Sequence, residues 1–424
     1  MNNSIRLKFV FTVFLLLLFF ACSEKKDNVS EPVKEESAEV IAPNEDDVRR
    51  EYAMLAASAM DDRQLSAQVI FTGIDGKGSL TRDMKILLSE CPAGGIVLFK
   101  YNLDTDNAAI QKLVAESAAL IAEGAVVELT EDTSFAIPPF VVVDHEGGKV
   151  NRFMPGTADL PSANSYWDKT QNEGRGGVIL HILTDSFNAG KKLKGLGVNF
   201  NLAPVAEFIN KDNIKFLEGR SYGPDPAFTV DAAKAFIMGM ELAGVICAVK
   251  HFPGSAGADP HLFPGTLNGD KTALKELVFP FASLIKDNRT RAIMVSHSFV
   301  PAWDAENIAS LSPAVMGEWL RREFGFNGLI ISDDFSMGAA TGSGHTRPEE
   351  AAVQSLIAGA DIVLVWPPDL RRTHKAILAA LTAGRLSRRR LEESAGRIIY
   401  EKMGGGNGKS IDKSPKTHIL KDKS

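Results

Sequence analysis

Eight short apolar runs recur through the middle of the chain, and their spacing limits the possible folds more than any other feature. They are AQVIFTG (67–73), GIVLF (95–99), FVVVD (140–144), VNFNLA (198–203), VICAVK (245–250), AIMVSH (292–297), LIISD (329–333) and DIVLV (361–365). Their content of β-branched residues is that of strands buried on both faces in a parallel sheet. Helical patterns separate most of them. DNAAIQKLVAESAALIAEG precedes the third run, DAAKAFIMGMELAG the fifth and RPEEAAVQSLIAGA the eighth. Alternating strands and helices give right-handed βαβ units, and eight such units are the number that closes a single α/β domain, a (β/α)8 TIM-type barrel. An open doubly wound sheet is the rival, but no G-x-G-x-x-G follows an early strand. The segment GTADLPSANSYWDKTQNEGRGG after the third run reads as a loop-plus-helix excursion.

The two ends read differently. Residues 1–22, MNNSIRLKFVFTVFLLLLFFAC, have a basic start and an apolar run from Phe9 to Phe20, which is the form of a secretory signal. The run is short for a spanning helix, which needs roughly 20 residues. Ala21-Cys22 followed by Ser23-Glu24 resembles a bacterial lipoprotein cleavage site, so Cys22 is expected to carry lipid and to anchor the protein in a membrane of the cell envelope. Residues 23–47 are rich in Glu, Lys, Ser and Pro and read as a disordered tether. Residues 404–424, Gly-rich and then lysine-rich, read as a disordered basic tail, leaving 48–403 as the folded unit. Cys91 and Cys247 lie in or beside apolar runs, where free buried thiols are expected before a disulfide. A formal net charge of -6 over 424 residues is weak and argues for no nucleic-acid partner.

Catalytic groups of such barrels come from the C-terminal ends of the strands, because the loops there converge over the axis. Here those ends are polar: Asp144-His145-Glu146 after the third run, Lys250-His251 in the fifth, Ser296-His297 in the sixth and Ser332-Asp333-Asp334 in the seventh. No strand start reads as a comparable set. Four such groups on separate strands form a polar pocket suited to a ligand with many hydroxyls. A carboxylate in that pocket needs partners to stay ionised, and the candidates are Lys250, Arg152 and Arg220. An ionised Asp at a strand end can attack an anomeric carbon, and retaining glycoside hydrolysis needs that nucleophile and a proton donor. In KHFPGSAGADPHLFPG (250–265), His261 is a candidate donor with Asp259 holding its imidazole. The same two residues also read as exposed loop residues.

The stretches VVVDHEGGKVNRF (141–153), NFNLAPVAEF (199–208), EGRSYGPDP (218–226), KHFPG (250–254), ADPH (258–261) and GLIISDDFSMGAA (328–340) carry a resemblance. From about Leu65 to Lys402 the chain resembles bacterial glycoside hydrolase family 3, in its exo-β-N-acetylglucosaminidase (β-hexosaminidase) branch. The resemblance implies the barrel already read from the strand count. It makes Asp333 the nucleophile, Asp259 and His261 the mobile acid/base dyad, and Asp144, Arg152, Arg220, Lys250 and His251 the ligands of the sugar hydroxyls. It implies a retaining enzyme that removes terminal β-linked N-acetylhexosamine from peptidoglycan- or chitin-derived saccharides through a glycosyl-aspartate, with a saccharide substrate, no metal and no cofactor. A family 3 β-glucosidase, a glycoside phosphorylase and a turnover-deficient sugar-binding lipoprotein are the alternatives, the last opposed by the intact Asp333, Asp259 and His261.

The chain departs from that pattern in several places. Ser255 stands where the family's KHFPGHG has a histidine, the loop to Asp259 is two residues shorter, and Pro260 replaces a serine. DHEGG stands for the commoner DQEGG, and Glu207 for an aspartate. Pro260 fixes its own φ and biases Asp259 toward extended geometry, which predicts a stiffer acid/base loop.

Overall fold

Side by side and in chain order, the eight runs pair as parallel strands, and the last returns to the first to close a barrel. The computed structural model describes residues 44–257, 259–341 and 347–405; the signal-like segment, Cys22, most of the expected tether and the tail beyond Gly405 lie outside the described residues. The strands are β1 (Ile70–Gly73), β2 (Gly95–Leu98), β3 (Phe140–Val143), β4 (Phe200–Asn201), β5 (Ile246–Phe252), β6 (Ala292–Val295), β7 (Leu329–Asp334) and β8 (Ile362–Val365). Closure is a register of Ile70 with Val363 on one side of β1 and Phe71 with Gly95 on the other.

The strands are mostly shorter than the apolar runs. β1 starts only at Ile70 because Asp62–Gln68 is a helix whose Asp61 and Gln64 form a reciprocal capping box. β5 instead continues to Phe252, two residues beyond the run that ends at Lys250, so His251 also lies within the strand. Inside the barrel, Phe71, Phe140 and Phe200 meet ring to ring at 5.1 to 6.0 Å between centroids. Gly95 makes room for them, since a Cβ there would lie 2.5 Å from the Phe71 ring. Each buried phenylalanine contributes about 1.5–3 kcal/mol, so this layer is a main reason the barrel closes.

Several features were not legible in the sequence. Val126–Thr130 pairs with Thr133–Ala136, and Phe299–Val300 with Asp304–Ile308, as two antiparallel hairpins outside the barrel. The expected excursion is largely one helical stretch, Ala163–Gly195, broken at Gly174 with φ 70°. The boundaries also move. A helix, Glu45–Ala59, begins inside the segment expected to be tether: Asn44 accepts the Asp46 N–H, and Glu45, Asp46 and Asp47 form an acidic first turn, favourable at a helix N-terminus. At the other end the N–H groups of Gly404 and Gly405 still bond to the carbonyls of Glu401 and Tyr400. Cys91 and Cys247 are buried and unbridged, as expected.

One strand start does carry a charged set, contrary to expectation. Asp361, immediately before β8, is fully buried and meets Arg321, Arg390 and Arg397, the Ile330 N–H and Ser394. Burial alone would raise its carboxyl, but the three guanidinium groups outweigh it and bring the pKa down to about 2. Its partners come from distant helices, so no local pattern announces them.

Candidate active site

The C-terminal ends of β3 and β5 are joined by a line of alternating charges. Arg152 donates to Asp144 at 3.1 Å, Lys250 reaches Asp144 and Glu146 at 2.6 Å each, and Arg220 clamps both oxygens of Glu146 at 2.7 and 2.8 Å. Lys250 and Glu146 are almost completely buried there. Burial by itself would raise the Glu146 carboxyl, yet Lys250 and Arg220 hold it well below the usual carboxylate range. Burial would likewise lower the Arg220 guanidinium, and Glu146, Asp144 and Glu207 keep it above its ordinary value. Paired in this way the charges avoid the penalty of isolated buried ions. The five expected sugar ligands, Asp144, Arg152, Arg220, Lys250 and His251, are therefore neighbours in space, with His251 held by Glu207 at 2.7 Å and touching Arg220 at 3.4 Å.

At the end of β7, Asp333 lines a cavity of about 20 Å³ together with His251, His297, Ser255, Phe216 and Pro260. Burial pushes its carboxyl up, but His297, His251, the Asp334 N–H and Lys250 together hold it below the ordinary value. A carboxylate kept ionised in a polar cavity is a competent nucleophile. The adjacent Asp334 is engaged elsewhere, accepting from the indole N–H of Trp366 and from the Ser336 N–H at 2.8 Å. Burial raises the Asp334 carboxyl. His297 accepts the Ser310 hydroxyl at Nδ1, 2.7 Å, and donates from Nε2 to the Asp334 carbonyl at 3.0 Å. Burial lowers its pKa, opposed by the Asp333 carboxylate and the Asp334 carbonyl.

Asp259 and His261 do form a pair: Oδ1 of Asp259 accepts from His261 Nδ1 at 2.9 Å and from its N–H at 3.0 Å. The N–H and the imidazole of His261 hold the Asp259 carboxyl below its ordinary value. The pair is not in the cavity. Its side chains are 56% and 73% exposed, and Pro260 between them is what lines the pocket. The Gly338 and Ala339 N–H groups bond to the His261 and Pro260 carbonyls at 2.9 and 3.1 Å, tying the loop to the turn after β7. His145, another strand-end histidine, is turned into the protein, with Nε2 on the Ala158 carbonyl at 2.8 Å and its ring against Phe153.

Sequence reasoning placed Glu146 and His297 among the polar strand ends without naming their partners, noted Glu207 only as a departure from the family pattern, and did not single out Trp366. Glu146 had a signal, being two residues beyond Asp144 and so on the same face of an extended segment. Trp366 had none beyond ending β8.

A family model described as the glycosyl hydrolase family 3 N terminal domain matches residues 63–400. The β-hexosaminidase of Methylococcus capsulatus is 31% identical over 325 residues, covering 75% of this chain and 89% of the relative. The family 3 β-N-acetylglucosaminidase structure from Paenibacillus sp. FPU-7 superposes with a TM-score of 0.72 at 28% identity, covering 86% of this chain and 66% of that one. The structure of NagZ from Neisseria gonorrhoeae in complex with N-trifluoroacetyl-D-glucosamine aligns with a TM-score of 0.64 at 28% identity, covering 78% of this chain and 89% of that one.

Proposed function

The chain belongs to glycosyl hydrolase family 3 and is a glycoside hydrolase; from that premise we propose that it is a retaining exo-β-N-acetylglucosaminidase. The observation that carries this reading is Asp333, held ionised in a cavity shared with His251, beside the charged cluster of Asp144, Arg152, Lys250, Glu146 and Arg220. In the first step an Asp333 oxygen bonds to the anomeric carbon as the glycosidic bond breaks, and His261 gives its proton to the leaving oxygen. In the second, water attacks the same carbon while His261 takes the water's proton and Asp333 departs. Charged groups on the hydroxyls make the site selective, because a missing hydroxyl strands a buried charge. The N-acetylhexosamine preference is supported by the β-hexosaminidase relatives and by the N-acylglucosamine held by gonococcal NagZ. Peptidoglycan- or chitin-derived saccharides are the proposed source.

A cavity of about 20 Å³ has room for a water but not for a sugar ring. Pro260 lines that cavity between Asp259 and His261, so a movement of this loop that admits the sugar also moves His261. The test is release of 4-nitrophenol from the N-acetylglucosaminide against the glucoside, with and without phosphate. Preference for the glucoside, or sugar 1-phosphate as product, sinks the proposal.

For location, the proposed anchor is lipid on Cys22, with the following segment as spacer. One diacylglyceryl group plus an N-acyl chain gives stable membrane attachment. Cys22→Ser should release the protein from the membrane fraction or stall its processing, and unchanged fractionation contradicts the anchor.

A further inference from the structure

Glu207, in the segment after β4, is a buried carboxylate with a lopsided set of partners. Its Oε1 accepts three hydrogen bonds: from His251 Nδ1 at 2.7 Å, from the His251 main-chain N–H at 3.2 Å and from the Ser255 hydroxyl at 3.0 Å. Its Oε2 is buried and has no partner among the described residues. An unsatisfied buried carboxylate oxygen costs stability, so the fold alone gives little reason to retain this residue. What the carboxylate does is to the ring beside it.

We propose that Glu207, with Ser255, is a positioning pair that fixes which nitrogen of His251 carries the proton. The inference rests on the reading of the cavity as a sugar site. Two neighbours set the tautomer from opposite sides. The Glu207 oxygen accepts, so Nδ1 is the N–H. Arg220 has donors only and lies 3.4 Å from Nε2, so Nε2 presents a lone pair. His251 lines the cavity, and a substrate hydroxyl that reaches Nε2 would take Arg220's place as the donor to its one lone pair, whereas a carbonyl or phosphate oxygen would find no donor there. Ser255 adds a third donor to Oε1 and fixes the carboxylate rotamer.

The contact His251 makes with a substrate hydroxyl exists before and during reaction, so its loss raises KM more than it lowers kcat. Glu207→Met removes the acceptor at similar length and should raise KM by roughly 10- to 100-fold, the span of a lost hydrogen bond to a charged group. Glu207→Gln keeps an acceptor oxygen and should restore most of the loss. Ser255→Ala should act in the same direction by a few-fold and be non-additive with Glu207→Met. The tautomer is read separately, from the ring ¹⁵N shifts of the unsubstituted, histidine-labelled enzyme and of Ser255→Ala. The expected result is Nδ1 protonated in the unsubstituted enzyme and a mixture wherever the pair is weakened. An Nε2-protonated ring in the unsubstituted enzyme, or a folded Glu207→Met with unchanged KM, overturns the proposal. The ring measurement needs no substrate. It decides the proposal even where Glu207→Met fails to fold, and a failed N-acetylglucosaminide assay strikes the proposed function separately.

Discussion

Asp333 accepts the main-chain N–H of Asp334 at 2.9 Å, while the Asp334 carboxylate points to Trp366 and the Ser336 N–H. Two adjacent carboxylates thus have separate roles, one in the cavity and one supporting the turn beyond it. On the proposed mechanism Asp333→Ala should lower kcat by at least about 10⁴-fold with the circular dichroism spectrum unchanged, because Asp333 is the one carboxylate among the described residues that line the cavity. Asp334→Ala should cost less than roughly 100-fold, the worth of lost supporting hydrogen bonds. An active Asp333→Ala beside a dead Asp334→Ala reverses the assignment.

Asp361 gives a prediction on stability. It is the common partner of Arg321, Arg390 and Arg397 at the opposite end of the barrel from the cavity. Asp361→Ala leaves three guanidinium groups without their carboxylate and should destabilise by about 3–5 kcal/mol in urea unfolding. Because the folded pKa, about 2, lies below the unfolded value of 3.8, the pH-linked part of this stabilisation, on the order of 2 kcal/mol, is present above pH 4 and is lost as pH falls through 2. A loss under about 1 kcal/mol at pH 7 contradicts the account.

What the sequence made legible follows the range of its interactions. The eight strands declare themselves through their own apolar content, and the polar residues at their ends are local to them. The partners of Asp144 were foreseeable as cations, since a carboxylate in a barrel mouth needs them. Asp361 was not, because its arginines come from positions 321, 390 and 397. Glu207 registered only as a departure from a family pattern, and its bond to His251 spans 44 positions. The orientation of Asp259 and His261 depends on how the loop rests on Gly338 and Ala339, which no local spacing encodes.

His145 should make the fold sensitive to mild acid. Burial lowers its pKa to about 4 from 6.5, with the Ala158 carbonyl opposing. Between those values the unfolded chain binds the proton and the folded one does not, so stability falls as pH drops from 6.5 to 4. The effect is on the order of 3 kcal/mol. His145→Gln, which can still donate to Ala158 but cannot titrate, should flatten the urea-midpoint profile over that window. Parallel profiles for the two proteins rule out His145 as the cause.

The last prediction concerns His261. Its Nδ1 is taken by Asp259 at 2.9 Å, which leaves Nε2 to give the proton to a leaving oxygen. That gift matters when the leaving group is a sugar alkoxide and little when it is an activated phenol. His261→Ala should therefore slow natural disaccharides by about 10²–10⁴-fold, yet scarcely slow the first step with a dinitrophenyl glycoside. Asp259→Ala should give a milder copy, because it orients the ring without transferring the proton. Single-turnover measurement is needed so that deglycosylation does not hide the first step. Equal losses on both substrates would mean that the exposed pair never reaches the cavity, and the donor would then be sought in His297, which already lines it. His145 is ruled out of that role by its place inside the fold.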